Sequence, residues 1–298
     1  MTRQQHAYAY ALSAVLIWST VASAFKLTLQ HLSPAGMLLW ANLVSVLLLG
    51  TLLTVRGELA AALSVPHKNW RHSLLLGALN PFLYYLVLFK AFTLLPAQEA
   101  QPLNYTWAIT LSILAVFLLG QRLTRQDMLA IVVSYSGVLT ISTRGDLLNL
   151  TFSDPAGVGL ALGSTVVWAL YWIYNTRDRR PPLQGLFLNF LCSLPLALLY
   201  SLFMDGFVVP PLPGLLGSLY IGCFEMGISF FLWLQALKYT ASTAKISNLI
   251  FISPFLSLVF IHLLVGEQIY SSTYIGLLLI VGGLLIQQLR LKALPAGK

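Results

Sequence analysis

One acidic residue, Glu225 in the sequence GCFEMG, lies well inside a long apolar stretch. An ionised carboxylate at the centre of a membrane costs about 3 kcal/mol on insertion scales unless it meets a partner or water. Such a group can bind the amine of a ligand or carry a proton. The alternative is a protonated or paired structural glutamate, with Lys90 or Asn80 as its partner. We favour the functional interpretation and predict that Glu225 faces a central cavity.

Aromatic and polar side chains recur at helical spacing in other apolar stretches. Asn80 and Tyr84 are four residues apart. A second set with the spacing of one helix face comprises Ser164, Trp168, Tyr171 and Asn175. Rings mixed with amide and hydroxyl groups suit a flat amphipathic ligand, while packing against other helices is the alternative for each single ring. The predicted cavity residues are Trp18, Asn80, Tyr84, Tyr105, Trp168, Tyr171, Trp172, Asn175, Glu225 and Ser229.

Signatures of catalysis and of cofactor binding are missing from the sequence. The segment 227–229 (GIS) lacks the second glycine of a GxSxG motif, and there is no HExxH or Walker A sequence. Cys192 and Cys223 lie in apolar segments without a CxxC motif, which argues against a zinc site or a disulfide framework. We therefore predict that the protein is not an enzyme and uses no metal or cofactor.

The elements that position these residues are predicted to be membrane-spanning helices. Of the 298 residues, 58% are hydrophobic and only 9% are charged, and the mean hydropathy is +0.81. Long apolar runs favour helices over a barrel, which needs alternating polarity in short strands. The ten predicted spans are 7–29, 35–55, 73–94, 102–119, 128–143, 156–175, 183–203, 213–236, 246–265 and 272–291. The fold class is therefore an all-α membrane protein surrounded by lipid.

Lysine and arginine are distributed unevenly over the predicted loops. With a cytoplasmic amino terminus, 14 of the 17 cations lie on the cytoplasmic side, only Arg144 lies opposite, and Lys26 and Lys90 fall within spans. The positive-inside rule therefore places both termini in the cytoplasm. Lys26 and Lys90 are expected to snorkel to the interface. Because the loop cations form no patch on a globular module, no nucleic-acid partner is expected.

The two halves of the sequence resemble each other at a nearly fixed offset. Matching pairs are Trp18 and Trp168 at 150, Gly77 and Gly222 at 145, and Gly137 and Gly283 at 146. At 145 the counterpart of Glu225 is Asn80. Five spans per copy is an odd number, so a second copy enters the membrane from the opposite face. We predict a first five-helix repeat over residues 1–145 and an inverted one over 154–298, which favours alternating access; chance similarity between apolar helices is the alternative.

Three segments of the second half carry a family resemblance: 236–240 (ALKYT), Ser253-Pro254, and 265–268 (VGEQ). With the ten-span layout, they resemble the drug/metabolite transporter superfamily, EamA type, over essentially the whole chain. The first half departs from the pattern, because Gln121 stands where a glutamate is typical and no proline matches Pro254. The segments 17–20 (IWST) and 80–85 (NPFLYY) are most similar to YddG-type exporters of aromatic amino acids within that superfamily.

This resemblance implies a multi-pass carrier of the bacterial inner membrane that exports aromatic and other hydrophobic amino acids by alternating access. Pro254 is expected to act as a hinge, because proline interrupts helical hydrogen bonding. A multidrug or other metabolite carrier is the alternative within the superfamily, and an intramembrane lipid-modifying enzyme is the alternative outside it. Proton-coupled antiport and facilitated diffusion both remain open as the mode of energy coupling.

Overall fold

The computed structural model describes residues 3–120, 124–149, 151–175, 178–206, 208–240 and 248–293, and within these ranges the chain contains helices and no strands. We group the helices into ten rods, separated by short loops and by a five-residue helix, Leu59–Leu63. The unbroken rods are α1 Arg3–Thr28, α2 Pro34–Val55, α5 Arg125–Ser142, α6 Pro155–Asn175, α7 Pro182–Asp205 and α10 Ser271–Ala293.

The other four rods are each divided into segments of different helical type. In chain order they are α3 (His67–Gly77, Ala78–Leu83, Tyr84–Leu94), α4 (Ala97–Tyr105, Trp107–Leu119), α8 (Leu212–Tyr220, Ile221–Ile228, Ser229–Tyr239) and α9 (Asn248–Ile252, Ser253–Phe260, Ile261–Val265). The central segments of α3 and α8 are π-helical, and α9 starts with a 3₁₀ turn and ends with a π turn. The start of the predicted ninth span, residues 246–247, lies outside the described residues.

Among the described residues, seven helical stretches are long and apolar enough to cross a membrane. They are Arg3–Thr28, Pro34–Val55, His67–Leu94, Ala97–Leu118, Pro155–Asn175, Pro182–Asp205 and Leu212–Trp233. Leu249–Val265 and Ser271–Gln287 are shorter apolar helices. The prediction of an all-helical, multi-pass membrane protein is thus confirmed at the level of fold class.

The corner between α3 and α4 is held by two opposite charges from distant parts of the chain. The Lys26 ammonium donates hydrogen bonds to the carbonyls of Phe92 (2.8 Å) and Leu95 (2.7 Å), where α3 ends. The Glu267 carboxylate accepts hydrogen bonds from the backbone N–H groups of Ala97 (2.7 Å) and residue 98 (3.1 Å), where α4 begins. Each charge complements the helix terminus that it contacts.

Two sequence predictions are corrected at this corner. Helix α4 begins at Ala97, five residues before the predicted start of its span, because Glu267 satisfies the first N–H groups and the polar residues there are buried. Lys26 does not merely snorkel, since its ammonium is hydrogen-bonded to the end of α3. Lys90, in contrast, is exposed, as expected from the sequence.

Glycines allow pairs of rods to approach until their backbones touch. In the α5–α10 pair, Gly283 lies on the Ala130 carbonyl, where a Cβ on Gly283 would be 2.7 Å from the oxygen. Gly276 lies on the Gly137 carbonyl, where the corresponding distance would be 2.6 Å. The two contacts are equivalent under an offset of 146 residues, because Ala130 corresponds to Gly276 and Gly137 corresponds to Gly283. Similarly, α3 meets α7 at Gly77, and α8 meets α2 at Gly222, 145 residues later.

The Gly283→Ala variant is expected to lose about 1–3 kcal/mol of stability, because its Cβ would collide with Ser134 and with the Ala130 carbonyl. The neighbouring Gly282 provides a matched control, since nothing lies within 4 Å of a Cβ there. Gly282→Ala should leave the melting temperature unchanged or raise it, because alanine favours helix. Melting curves of both purified variants check this expectation. Equal melting temperatures for the two variants would contradict the close α5–α10 contact.

Candidate substrate-binding site

Asn80 and Glu225, the polar pair predicted from the offset, both lie in the π-helical centres of their rods. Asn80 is in Ala78–Leu83 of α3 and has extended backbone angles, φ −145° and ψ 120°, immediately before Pro81. Glu225 is in Ile221–Ile228 of α8. Proline offers no backbone N–H, and π turns often occur at functional sites in helices. The predicted α-helical spacing between Asn80 and Tyr84 is therefore wrong, because the backbone between them is not α-helical.

The Glu225 carboxylate is only half satisfied by the protein. Its Oε1 accepts a hydrogen bond from the Tyr85 hydroxyl at 3.1 Å. The sequence suggested Lys90 or Asn80 as the partner of this carboxylate, but the observed donor to Oε1 is Tyr85. Its Oε2 is buried and has no hydrogen-bond partner among the described residues. The same holds for Asn80 Oδ1 and for the donor Nε1 of Trp172 within the described chain. Buried groups of this kind usually have partners, so these three atoms are candidates for contact with a ligand or with water.

Aromatic rings form a continuous wall next to Glu225. The Tyr84 ring lies 4.8 Å from the Tyr85 ring and 4.5 Å from the Trp168 ring, measured between centroids. Trp168 is in turn stacked on Tyr171 at 5.7 Å and meets Trp172 edge-on at 5.9 Å. We call these five residues the aromatic wall. It joins α3 to α6 and leads from the Glu225 carboxylate to Asn80, because the Tyr171 phenol lies beside the Asn80 side chain.

Two hydrogen-bonded chains place polar groups at the edges of the wall. The Tyr84 hydroxyl donates to Asn104 Oδ1 at 3.2 Å, and Asn104 Nδ2 donates to the Ser164 hydroxyl at 3.0 Å. On another side, the hydroxyls of Tyr105 and Ser253 are 2.9 Å apart. The second chain continues through Ser253 to Ser19 at 3.3 Å. The first chain connects α3, α4 and α6. The second chain connects α1, α4 and α9.

Three further predicted cavity residues make the following contacts. Trp18 packs on Trp233, with 5.3 Å between the ring centroids. The Ser229 hydroxyl is fully buried and donates to the Glu225 carbonyl at 2.8 Å, so it serves the helix backbone. Asn175 lies in the last turn of α6, where its carbonyl accepts a hydrogen bond from the loop N–H of Asp178.

Several contributors were missed by sequence reasoning. Tyr85 follows Tyr84 directly, so an α-helical pattern places them about 100° apart and gives no reason to combine them. Asn104 and Ser253 are small polar residues of a kind that occurs throughout the chain.

Pro254 does not kink a continuous α-helix. It lies in the first turn of the α-helical segment Ser253–Phe260, directly after the 3₁₀ turn of α9.

The helices and their close contacts define a multi-pass membrane protein, and comparison with known proteins gives its class. The model of the EamA-like transporter family matches residues 5–143 and 155–287. The chain therefore belongs to the EamA-like transporter family, within the drug/metabolite transporter superfamily. Membership indicates a transporter and not an enzyme.

Relatives extend over almost the whole chain. The aromatic amino acid exporter YddG of Ancylobacter novellus is 24% identical over 282 residues, which cover 91% of this chain and 93% of the exporter. The transporter YvbV of Bacillus subtilis is 24% identical over 292 residues, 95% and 92% of the two chains. A crystal structure with a TM-score of 0.68 covers 97% of this chain and 99% of its own, at 22% identity, and thus shows the same fold.

Proposed function

We propose that this protein exports aromatic and other hydrophobic amino acids across the bacterial inner membrane by alternating access. In this proposal all ten rods span the membrane as two inverted five-helix repeats, residues 1–145 and 154–298, with both termini in the cytoplasm. The substrate binds between Asn80 and Glu225 and against the aromatic wall. The name of the Ancylobacter novellus relative supports the substrate class.

The observation that carries the proposal is the combination of a half-satisfied carboxylate with an aromatic wall. Glu225 Oε2 and Asn80 Oδ1 are buried acceptors without described partners, as an incoming ammonium group requires. The rings beside them offer flat apolar surfaces for an aromatic or aliphatic side chain. The site thus offers complementary groups for the ammonium and for the side chain of a hydrophobic amino acid.

Paired features of the two halves support alternating access. The π-helical centres of α3 and α8, which carry Asn80 and Glu225, occur at equivalent positions of the two halves. The glycine contacts of α3 with α7 and of α8 with α2 are likewise related by the 145-residue offset. An inverted pair of similar bundles can exchange conformations about a central site, which is the basis of alternating access.

Counterflow in liposomes of purified protein tests the function directly. Liposomes loaded with unlabelled L-tryptophan should accumulate labelled L-tryptophan, L-phenylalanine and L-leucine transiently, and should accumulate neither L-aspartate nor L-lysine. Liposomes without protein are the control. Counterflow of lipophilic amines without any amino acid would favour the multidrug alternative and would refute amino acid export.

The proposed topology predicts the side from which engineered cysteines react. In a background with Cys192 and Cys223 replaced by serine, Val208→Cys, in the loop after α7, should react with an impermeant thiol reagent on intact cells. Arg179→Cys, in the loop before α7, should react only after permeabilisation, because positively charged loops are retained in the cytoplasm. Labelling in the opposite pattern would invert the topology.

Replacing Pro254 tests its proposed role as a hinge. Pro254→Ala would allow the 3₁₀ turn and the following α-helix to merge, so we expect net transport to slow by about threefold or more. Pro195→Ala is the matched control, since Pro195 lies inside α7 at a groove on the outside of the bundle, and should transport normally. Initial rates at equal expression and equal melting temperature provide the measurement. Wild-type rates for Pro254→Ala would contradict the hinge role and would indicate that this proline forms a fixed bend.

A further inference from the structure

A largely shielded ion pair lies in the loop between α6 and α7. The Arg180 guanidinium contacts the Asp178 carboxylate through NH2 at 2.6 Å and through Nε at 2.9 Å, and the two side chains are only 9% and 10% exposed. Arg180 NH1 also donates to the Ser73 hydroxyl of α3 at 2.7 Å. Burial by itself would raise the pKa of Asp178, but the hydrogen bonds and charge of Arg180 outweigh it and hold this pKa below its usual range.

The ion pair is connected to the aromatic wall by polar side chains. Arg180 NH2 lies 3.5 Å from the side-chain oxygen of Asn189, a buried residue of α7. The Tyr171 phenol lies beside both Asn189 and Asn80 and within electrostatic reach of Arg180 and Asp178. Polar side chains therefore extend from the loop pair through Asn189 to Tyr171, the member of the aromatic wall that lies beside Asn80. With the proposed topology, the loop pair lies at the cytoplasmic end of the bundle.

The chemistry of the pair restricts which ligands it can bind. A buried charge that loses its partner keeps its desolvation penalty, so separating Asp178 from Arg180 is unfavourable for a neutral ligand or for one that carries a single charge. A zwitterion brings one charge for each partner, and the planar guanidinium can hold a carboxylate through two hydrogen bonds. Ser73 and Asn189 would keep Arg180 in place during this exchange, because they contact it from α3 and α7.

We propose that Asp178 and Arg180 form a cytoplasmic loading subsite that receives the α-ammonium and α-carboxylate groups of the amino acid before it moves to Glu225. Asp178 takes the ammonium and Arg180 takes the carboxylate, so that both charges stay paired during loading. This inference rests on the proposed function and topology. It assigns to this pair the selection of zwitterions, which a single intramembrane carboxylate does not provide.

Everted membrane vesicles, which present the cytoplasmic face outward, allow the test. Labelled L-tryptophan and tryptamine, which has no carboxylate, are compared by their half-saturating concentrations for uptake. Arg180→Gln should raise the value for L-tryptophan about tenfold, which corresponds to the loss of one charge-assisted contact. It should lower the value for tryptamine, because the amine can then pair with Asp178 without leaving a guanidinium unpaired. Arg179→Gln, an exposed cation in the same loop, is the matched control and should leave both values unchanged.

A second variant guards against a folding defect. Arg180→Lys keeps the positive charge but loses the planar fork, so it should fold like the wild type and give an intermediate rise in the L-tryptophan value. A purely structural pair predicts a different pattern, namely a lower melting temperature with equal loss for L-tryptophan and tryptamine. That pattern, or wild-type selectivity in Arg180→Gln, would overturn the subsite. Absence of L-tryptophan transport by the wild type would instead refute the proposed function itself.

Discussion

The Glu225→Gln variant is expected to lose affinity for every transported amino acid together, by about tenfold or more, because the carboxylate that meets the common ammonium group becomes neutral while its shape is kept. The buried Oε2 without a described partner is the atom that we assign to this contact. Half-saturation of equilibrium exchange in proteoliposomes measures the effect. Tyr85→Phe is the comparison variant within the site, because it removes the 3.1 Å hydrogen bond to Oε1 and keeps both the ring and the Glu225 carboxylate.

Three measurements on the same Glu225→Gln preparation separate the possible roles of this carboxylate. Loss of affinity for all amino acids indicates contact with the substrate amine. Loss of the pH dependence of net flux, with exchange of internal for external substrate intact, indicates proton coupling. A lower melting temperature or yield without either effect indicates a structural glutamate. Wild-type values in all three assays would remove Glu225 from the site altogether.

The Trp168→Leu variant is expected to change selectivity more than overall transport. Leucine keeps an apolar surface but removes the ring that lies between Tyr84 and Tyr171 in the aromatic wall. Because ring–ring contacts are worth about 0.5–1.5 kcal/mol beyond area burial, the preference for L-tryptophan over L-leucine should fall by roughly two- to tenfold. The ratio of initial export rates for the two substrates measures this preference.

A tryptophan outside the wall provides the comparison. Trp70 lies near the start of α3 and lines a groove with Leu74 and Pro195, so Trp70→Leu should leave the substrate ratio unchanged. If the ratio of export rates shifts equally in Trp168→Leu and Trp70→Leu, the effect comes from general loosening of the helix bundle. An unchanged ratio in Trp168→Leu would contradict stacking of the substrate on this ring.

Most of the helical architecture could be predicted from the sequence, because the period and length of apolar runs reflect the solvent around each helix. The start of α4 could not, since residues 97–101 (AQEAQ) look like a polar loop until Glu267, 170 residues later, is seen to cap the helix. Long-range hydrogen bonds of this kind leave no local pattern. For the packing of α5 on α10, the sequence indicated only that Gly137 and Gly283 match. It did not indicate which helix each glycine contacts.

The site shows the same division between local and long-range information. The types of chemical group in the site could be predicted from individual residues, because a carboxylate in an apolar run and a cluster of aromatic rings are both unusual. Their arrangement depended on the backbone: the π-helical segment at Asn80 breaks the α-helical spacing and lets Tyr85, not Tyr84, meet Glu225.

The amino-acid sequence by itself thus determined the helical membrane fold, the family and the presence of a carboxylate within an apolar helix, because these follow from composition, periodicity and local motifs. Only the tertiary structure decided which side chains meet. Tyr85 reaches Glu225 across 140 residues, and Arg180 reaches Ser73 across 107. Such pairs depend on the register between packed helices, which is set by backbone contacts at Gly77 and Gly222 and by departures from α-helical geometry. A one-dimensional pattern does not encode that register, because many sets of neighbours satisfy the same apolar periodicity.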